Sequence, residues 1–178
     1  SLIDNKKLFN FLNKNLKKIL NLSSPFIEKA IYESCKIKKK VVEKDEKETA
    51  LRKVLNFGHT FAHAYEAGLG YSHKLNHGEA VILGMKTALS FSFKENMLSK
   101  SEYNLIINHI DNSGLPSSIK KYFSLKDLNK ILSFMIKDKK NNSEKINLVL
   151  LKKIGKPIFN KQYSKKKLNL FLRKFLTN

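Results

Sequence analysis

Residues 52–63 read RKVLNFGHTFAH, and fourteen residues further on the chain continues HGEAV from His77. An α-helix turns about 100° per residue. One helix over residues 51–67 therefore places Arg52, Asn56, His59 and His63 within an arc of roughly 60°. That face carries a guanidinium, an amide and two imidazoles, while Val54, Phe57, Phe61 and Ala64 make the opposite, apolar face. A solvated helix surface is normally furnished with Lys and Glu. A face built from groups that bind metals, phosphates and carboxylates points to chemistry.

Helical periodicity extends outward from this stretch. NKKLFNFLNKNLKKILN (5–21) has apolar residues at helical spacing. Ser24 and Pro25 read as N-cap and first helical position of a helix to about Val42, and the charged run EKDEKET (43–49) breaks it. Gly68 and Gly70 end the motif helix. After the loop YSHKLNH, a helix from His77 to about Lys94 is apolar nearly all round, which places it at the centre of a bundle. Further helices are predicted at 101–112, 125–139 (with Ser124 and Asp127 as a capping box) and 165–176. KINLVLL (145–151) is the best strand, returning over Pro157–Phe159 after a turn at Gly155-Lys156. The predicted fold class is mainly α, a helical bundle with a small β-hairpin near residues 145–160, in one domain spanning 1–178.

Bulk properties narrow the function classes. A hydrophobic content of 42% in 178 residues suits a globular domain and argues against disorder. The formal charge of +20 invites a second reading, a basic nucleic-acid-binding helical module. The lysines are spread along the whole chain, however, and there is no aromatic stacking platform or nucleic-acid motif, so no nucleic-acid partner is expected. The single Cys35 cannot close an internal disulfide, which suits a reducing, cytoplasmic compartment. No apolar run approaches the ~20 residues needed to span a bilayer, and no signal peptide is recognisable, so no membrane partner is expected. The chain begins in mid-pattern at Ser1 and not at Met, as a piece of a longer protein would.

Candidate site residues follow from spacing. His59 and His63 stand i, i+4 on one helix face, as in helical zinc sites, and His77 offers a third imidazole at a helix start. Only one of the helix pair need bind a metal, leaving the other as acid, base or phosphate donor. Arg52 matches a carboxylate or phosphate in bidentate fashion, and Asn56 adds an oriented donor. The plainer role for Arg52 is an ion pair with Glu48 one turn earlier. Glu66 reads as structural, and Glu79 suits the positive end of its helix. Lys139 lies on the stripe Leu128, Leu132, Met135, and Lys140 turns about 100° away from it; a lysine so placed ordinarily snorkels at a helix end. Lys38 belongs to the run Lys36–Lys40, by default a solvated face. His73 reads as a loop residue and His109 as a surface or satisfied histidine.

Taken together, ETALRKVLNFGHTFAHAYE followed by HGEAVILGM closely resembles the motif of the 3-dehydroquinate synthase family. CKIKKKVVEKDEKE (35–48), SGLP (113–116) and DKK (138–140) resemble further family landmarks. The resemblance covers essentially the whole chain, but only the C-terminal, mostly helical half of the family protein. It implies the second domain of a two-domain, cytoplasmic enzyme of the shikimate pathway, the route to chorismate and the aromatic amino acids. An N-terminal dinucleotide-binding domain would hold NAD, this domain would hold Zn²⁺ or Co²⁺, and the whole would form a homodimer. The implied activity is a lyase reaction on a sugar phosphate, 3-deoxy-D-arabino-heptulosonate 7-phosphate. It runs by transient oxidation by NAD, phosphate elimination, re-reduction and intramolecular aldol closure to 3-dehydroquinate.

Carried over by motif, His59 and His77 resemble metal ligands. His63 and Asn56 resemble residues that meet the departing phosphate. Arg52, Lys38 and Lys139 resemble substrate-binding residues, and Glu48 a carboxylate that orients them. Two departures stand out. The family's third metal ligand, a Glu in an AEVIK-like segment, and the lysine beside it are absent, as is the dinucleotide domain. This chain alone is therefore expected to be inactive and to hold metal weakly. Ala62 also stands where the family more often has Gly. A related sugar-phosphate cyclase or a metal-dependent alcohol dehydrogenase is the alternative within the enzyme class.

Overall fold

The structure is a computed structural model that describes residues 1–137 and 145–177. Along the chain run helices α1 (Lys6–Lys14), α2 (Leu16–Leu20) and α3 (Phe26–Lys44), then a 3₁₀ segment at Leu51–Asn56. Next come α4 (His59–Gly68), α5 (His77–Lys94), α6 (Lys100–Asp111) and α7 (Leu128–Lys137). Strands β1 (Lys145–Lys153) and β2 (Lys156–Ser164) pair antiparallel, and α8 (Lys165–Thr177) closes the chain. The mainly helical class and the hairpin stand as the sequence predicts. Among the described residues no helix is long and apolar enough to cross a membrane.

α5 occupies the centre, as its all-round apolar surface requires. Ala80, Leu83, Gly84, Thr87, Ala88, Leu89, Ser90, Phe91 and Ser92 are all buried on it. β1 turns Ile146, Leu148, Leu150 and Leu151 inward, and the Leu151 amide donates to Ser92 Oγ of α5 at 3.1 Å. This bond satisfies a buried donor that a register irregularity between Leu148 and Leu150 leaves beside the ladder. β2 runs well past the predicted Phe159. The extension places Tyr163 opposite Ile146 and packs its ring edge-on against Phe91 at 4.8 Å. At the N-terminal end, the predicted helix 5–21 is split at Asn15, whose side-chain amide donates to the Phe11 carbonyl at 2.9 Å. A short polar side chain that competes for backbone partners disfavours helix continuation.

The main departure from the periodicity lies in the motif itself. The chain does not form one helix over 51–67. It winds as 3₁₀ helix to Asn56, turns at Gly58 with φ +85°, and restarts as α4 at His59. The cause is a backbone-to-backbone approach. A Cβ on Gly84 of α5 would meet the Gly58 carbonyl oxygen at 2.2 Å, and a Cβ on Gly58 would meet the Met85 amide at 2.6 Å. The left-handed conformation at Gly58 is one that only glycine adopts without cost. A polar contact within the core locks the same helix pair. Tyr65 OH donates to Thr87 Oγ1 at 2.8 Å, and Thr87 in turn donates to the Leu83 carbonyl. Burial pushes the Tyr65 phenol well above its ordinary range, so it stays a neutral donor.

Gly84→Ala should therefore destabilise the domain by about 3 kcal/mol, the upper end for overpacking, because the obstructing atom is backbone and cannot rotate away. Gly78→Ala, with open space around it in the same helix, should cost nothing or stabilise by up to about 1 kcal/mol. Urea unfolding of the two variants beside the parent measures both.

Candidate active site

Breaking the helix at Gly58 reshapes the predicted face and does not scatter it. α3, the 3₁₀ segment and the start of α4 enclose a cleft of about 430 Å³. Lys38, Glu48, Arg52, Asn56 and His59 all line it, together with Ser34, Ile37 and the first residues of the chain. His63 and His77 lie beyond His59, with ring centroids 5.6 and 5.8 Å from it and 6.3 Å from each other. Seven of the eight sequence-predicted residues thus gather in one region. Lys139, with its neighbour Lys140, lies outside the described residues.

The cleft wall is held by a residue that the motif reading passed over. Asp45, at the C-terminal cap of α3, accepts from the backbone amides of Thr49, Ala50 and Arg52 at 2.8–2.9 Å, and from the Thr49 hydroxyl at 3.0 Å. Donation from the Arg52 amide, then from Ala50 and Thr49, pulls the Asp45 carboxyl down to about 2 against burial acting the other way. Inside this turn Glu48 adopts φ +55°, a left-handed conformation for a non-glycine residue that the surrounding bonds must enforce. The signal in the sequence was an Asp followed four residues later by Thr at a helix end, a local side-chain-to-backbone pattern.

The same turn replaces the anticipated Arg52–Glu48 ion pair. Because residues 48–52 do not continue a helix, one-turn spacing does not apply to them. Arg52 Nη1 donates instead to the Glu46 carbonyl at 2.7 Å, and Glu48 Oε1 accepts from Asn56 Nδ2 at 2.7 Å. A guanidinium anchored at one nitrogen keeps further N–H groups for an anionic ligand. Glu48 thus orients the Asn56 amide.

Three imidazoles lie close enough together to be considered as donors to a divalent metal. Two rings on one tetrahedral ion have centroids about 5 Å apart when Zn–N is near 2.0–2.1 Å. The distances of 5.6 and 5.8 Å from His59 need only a small side-chain adjustment. The ring planes separate the pairs further. His63 and His77 lie nearly parallel, 22° apart. The planes of His59 and His77 cross at 62° and those of His59 and His63 at 83°. His59 is thus the member common to the two closer pairs. Among the described residues no group of three His, Cys, Asp or Glu side chains forms a ready metal cage. Glu66 Oε1 lies 3.0 Å from His77 Nδ1. At the start of α5 the Asn76 amide donates to Glu79 Oε2 at 2.9 Å, fixing the backbone that carries His77. His109 is a satisfied histidine away from the cleft, hydrogen-bonded to Asn13 and edge-on to Phe9, and burial lowers its pKa.

Comparison with known proteins agrees with this geometry. The sequence profile described as 3-dehydroquinate synthase C-terminal matches residues 1–141. A 3-dehydroquinate synthase of Pelagibacter ubique (strain HTCC1062) is 63% identical over 177 residues, covering 99% of this chain and 48% of that protein. A 3-dehydroquinate synthase of Dictyoglomus thermophilum (strain ATCC 35947 / DSM 3960 / H-6-12) is 42% identical over 155 residues, covering 87% of this chain and 42% of that protein. Among solved structures, ValA, a 2-epi-5-epi-valiolone synthase from Streptomyces hygroscopicus subsp. jinggangensis 5008 with NAD⁺ and Zn²⁺ bound, superposes with a TM-score of 0.81 at 17% identity. The match covers 99% of this chain and 48% of that one, and at such identity it speaks for the fold alone. The chain belongs to the 3-dehydroquinate synthase C-terminal family. It spans about half the length of the curated relatives it matches.

The depressed Asp45 carboxyl sets a pH window for the cleft wall. A carboxyl whose folded pKa lies below its unfolded value of about 3.9 stabilises the fold above that value, and loses the contribution as pH falls through about 2. Hydrogen exchange at the Thr49, Ala50 and Arg52 amides should accelerate across this window relative to the helical core. Asp45→Asn should leave those amides poorly protected already at neutral pH and remove the acid step.

Proposed function

We propose that this chain is the C-terminal, metal- and substrate-binding domain of a 3-dehydroquinate synthase, one helical domain over 1–178 working with an N-terminal dinucleotide-binding domain of the same protein. The reaction is conversion of 3-deoxy-D-arabino-heptulosonate 7-phosphate to 3-dehydroquinate and phosphate, a carbon–oxygen lyase step. The carrying observation is the convergence of Lys38, Arg52 and Asn56 in one cleft that His59 also lines, with His63 and His77 beside it. A substrate bearing both a carboxylate and a phosphate calls for such a cationic, donor-rich surface. The family identity and the exposed Cys35 also suit a cytoplasmic enzyme, assembled as a homodimer as the resemblance implies.

Each residue has a task. Arg52, held at one nitrogen by the Glu46 carbonyl, presents its remaining donors to a substrate anion, and Lys38 adds a second cation from α3. Asn56, held by Glu48, donates from a fixed direction, so less ordering remains to be done when substrate binds. His63, exposed one turn beyond His59, would donate or take a proton at the leaving phosphate oxygen. His59 and His77 would hold Zn²⁺ or Co²⁺, with the family's third ligand, a Glu, expected from an AEVIK-like segment that this sequence lacks. The ion would polarise substrate hydroxyls, and NAD would carry the hydride out and back. Lys139 is assigned to the substrate on the resemblance alone.

The intact protein incubated with the heptulosonate phosphate, NAD and Zn²⁺ should release phosphate and dehydroquinate in equal amounts. Phosphate released with a different carbocyclic product would instead indicate a related cyclase, and no phosphate release would overturn the proposal. Arg52→Ala should lower kcat/KM by roughly 10- to 150-fold, the ~1.5–3 kcal/mol of a charge-assisted hydrogen bond. Arg52→Lys should recover little of it, because a single ammonium does not reproduce the anchored fork.

A further inference from the structure

We propose that Glu66 is a positioning residue that fixes the tautomer of His77, keeping the proton on Nδ1 and presenting Nε2 to a divalent cation. The proposal deepens the assignment of His59 and His77 as metal ligands and rests on it.

Glu66 shares a face of α4 with the site histidines: residues 59, 63 and 66 are spaced by four and three, the spacing that aligns side chains along a helix. Its carboxylate reaches across to the first residue of α5, with Oε1 3.0 Å from His77 Nδ1. An ionised carboxylate offers only acceptors, so the proton of this bond lies on Nδ1 of the imidazole. In the neutral ring the Nε2 lone pair is then free and directed away from Glu66. A metal requires that form, and a carboxylate behind a ligating imidazole also makes it a better donor.

The two partners differ in mobility in the sense the role requires. The Glu66 side chain is 14% exposed, while that of His77 is 61% exposed. A largely buried carboxylate thus restrains a ring that would otherwise turn freely in solvent. The backbone beneath His77 is already fixed by the bond from Asn76 to Glu79, so ring rotation is the freedom left to remove. With the ring held, its centroid stays 5.8 Å from that of His59, near the spacing of two imidazoles on one tetrahedral ion.

The test uses the intact protein and its Glu66→Ala, Glu66→Gln and His77→Ala variants. Zn²⁺ affinity is measured by competition with a chromogenic chelator, and the ligand set by the Co²⁺ d–d spectrum. Glu66→Ala should weaken Zn²⁺ binding by roughly 10- to 100-fold, the usual cost of losing such a partner. Glu66→Gln, whose amide oxygen still accepts from Nδ1–H, should recover most of that loss. At saturating Co²⁺ both should give the parent spectrum, because no ligand has been removed. Parent affinity in Glu66→Ala, or no recovery in Glu66→Gln, overturns the proposal. A changed Co²⁺ spectrum also overturns it, by making Glu66 a ligand. If His77→Ala binds as tightly as the parent, the ligand assignment itself fails and the proposal falls with it. Loss in His77→Ala alone leaves that assignment standing and rejects the role of Glu66. An observation independent of variant folding is the imidazole ¹⁵N–¹H spectrum of the metal-free parent at alkaline pH, where imidazoles are neutral. It should show a protonated Nδ1 and a bare Nε2; the reverse pattern refutes the assignment.

Discussion

The contact on which the rest depends is the approach of the Gly58 carbonyl to the backbone of α5 at Gly84. No side chain fits between them. The contact sets how closely α4 and α5 pack, and the left-handed turn at Gly58 sets the angle at which the 3₁₀ segment leaves. Those two settings place everything chemical. The first fixes the distance from His59 on one helix to His77 on the next. The second directs Arg52 and Asn56 towards α3 and Lys38, so that the cations share one cleft with His59. The buried Tyr65–Thr87–Leu83 chain of hydrogen bonds holds the pair in register from inside.

Much of this was legible in the sequence, for reasons particular to each part. The apolar surface of α5 could only belong to a central helix. KINLVLL is a short, largely apolar run without Gly or Pro, with a turn at Gly155 beyond it, so it reads as a strand. The site residues were recognisable because imidazole, guanidinium and amide groups recur in a short span. The helical wheel grouped them correctly for a partly wrong reason, since the helix assumed over 51–67 does not exist. Gly58 was the visible warning, but periodicity weighs side chains, and glycine has none to weigh. What demands a break there is the backbone of α5, a partner from another part of the chain that no local pattern reports.

The residues missed share that character. Asp45 sits in a charged run that looked like a plain linker, yet its carboxylate collects three backbone amides and shapes the cleft wall. Glu66 is separated from His77 by eleven residues, and only the α4–α5 turn brings them together. The anticipated Arg52–Glu48 pair gave way because Glu48 lies in a left-handed turn. In each case the fold reassigns partners among residues whose types were already telling. The +20 charge, by contrast, is dispersed, and among the described residues the cationic side chains lining the cleft are Lys38 and Arg52.

The proposed function divides the labour among three neighbouring imidazoles: His59 and His77 for a metal, His63 for the substrate. Zinc K-edge X-ray absorption of the zinc-loaded intact protein and its His63→Ala variant tests this directly. Two imidazoles per zinc in both proteins, with superimposable spectra, is the predicted result. Three imidazoles in the parent, or the loss of one in His63→Ala, would contradict it.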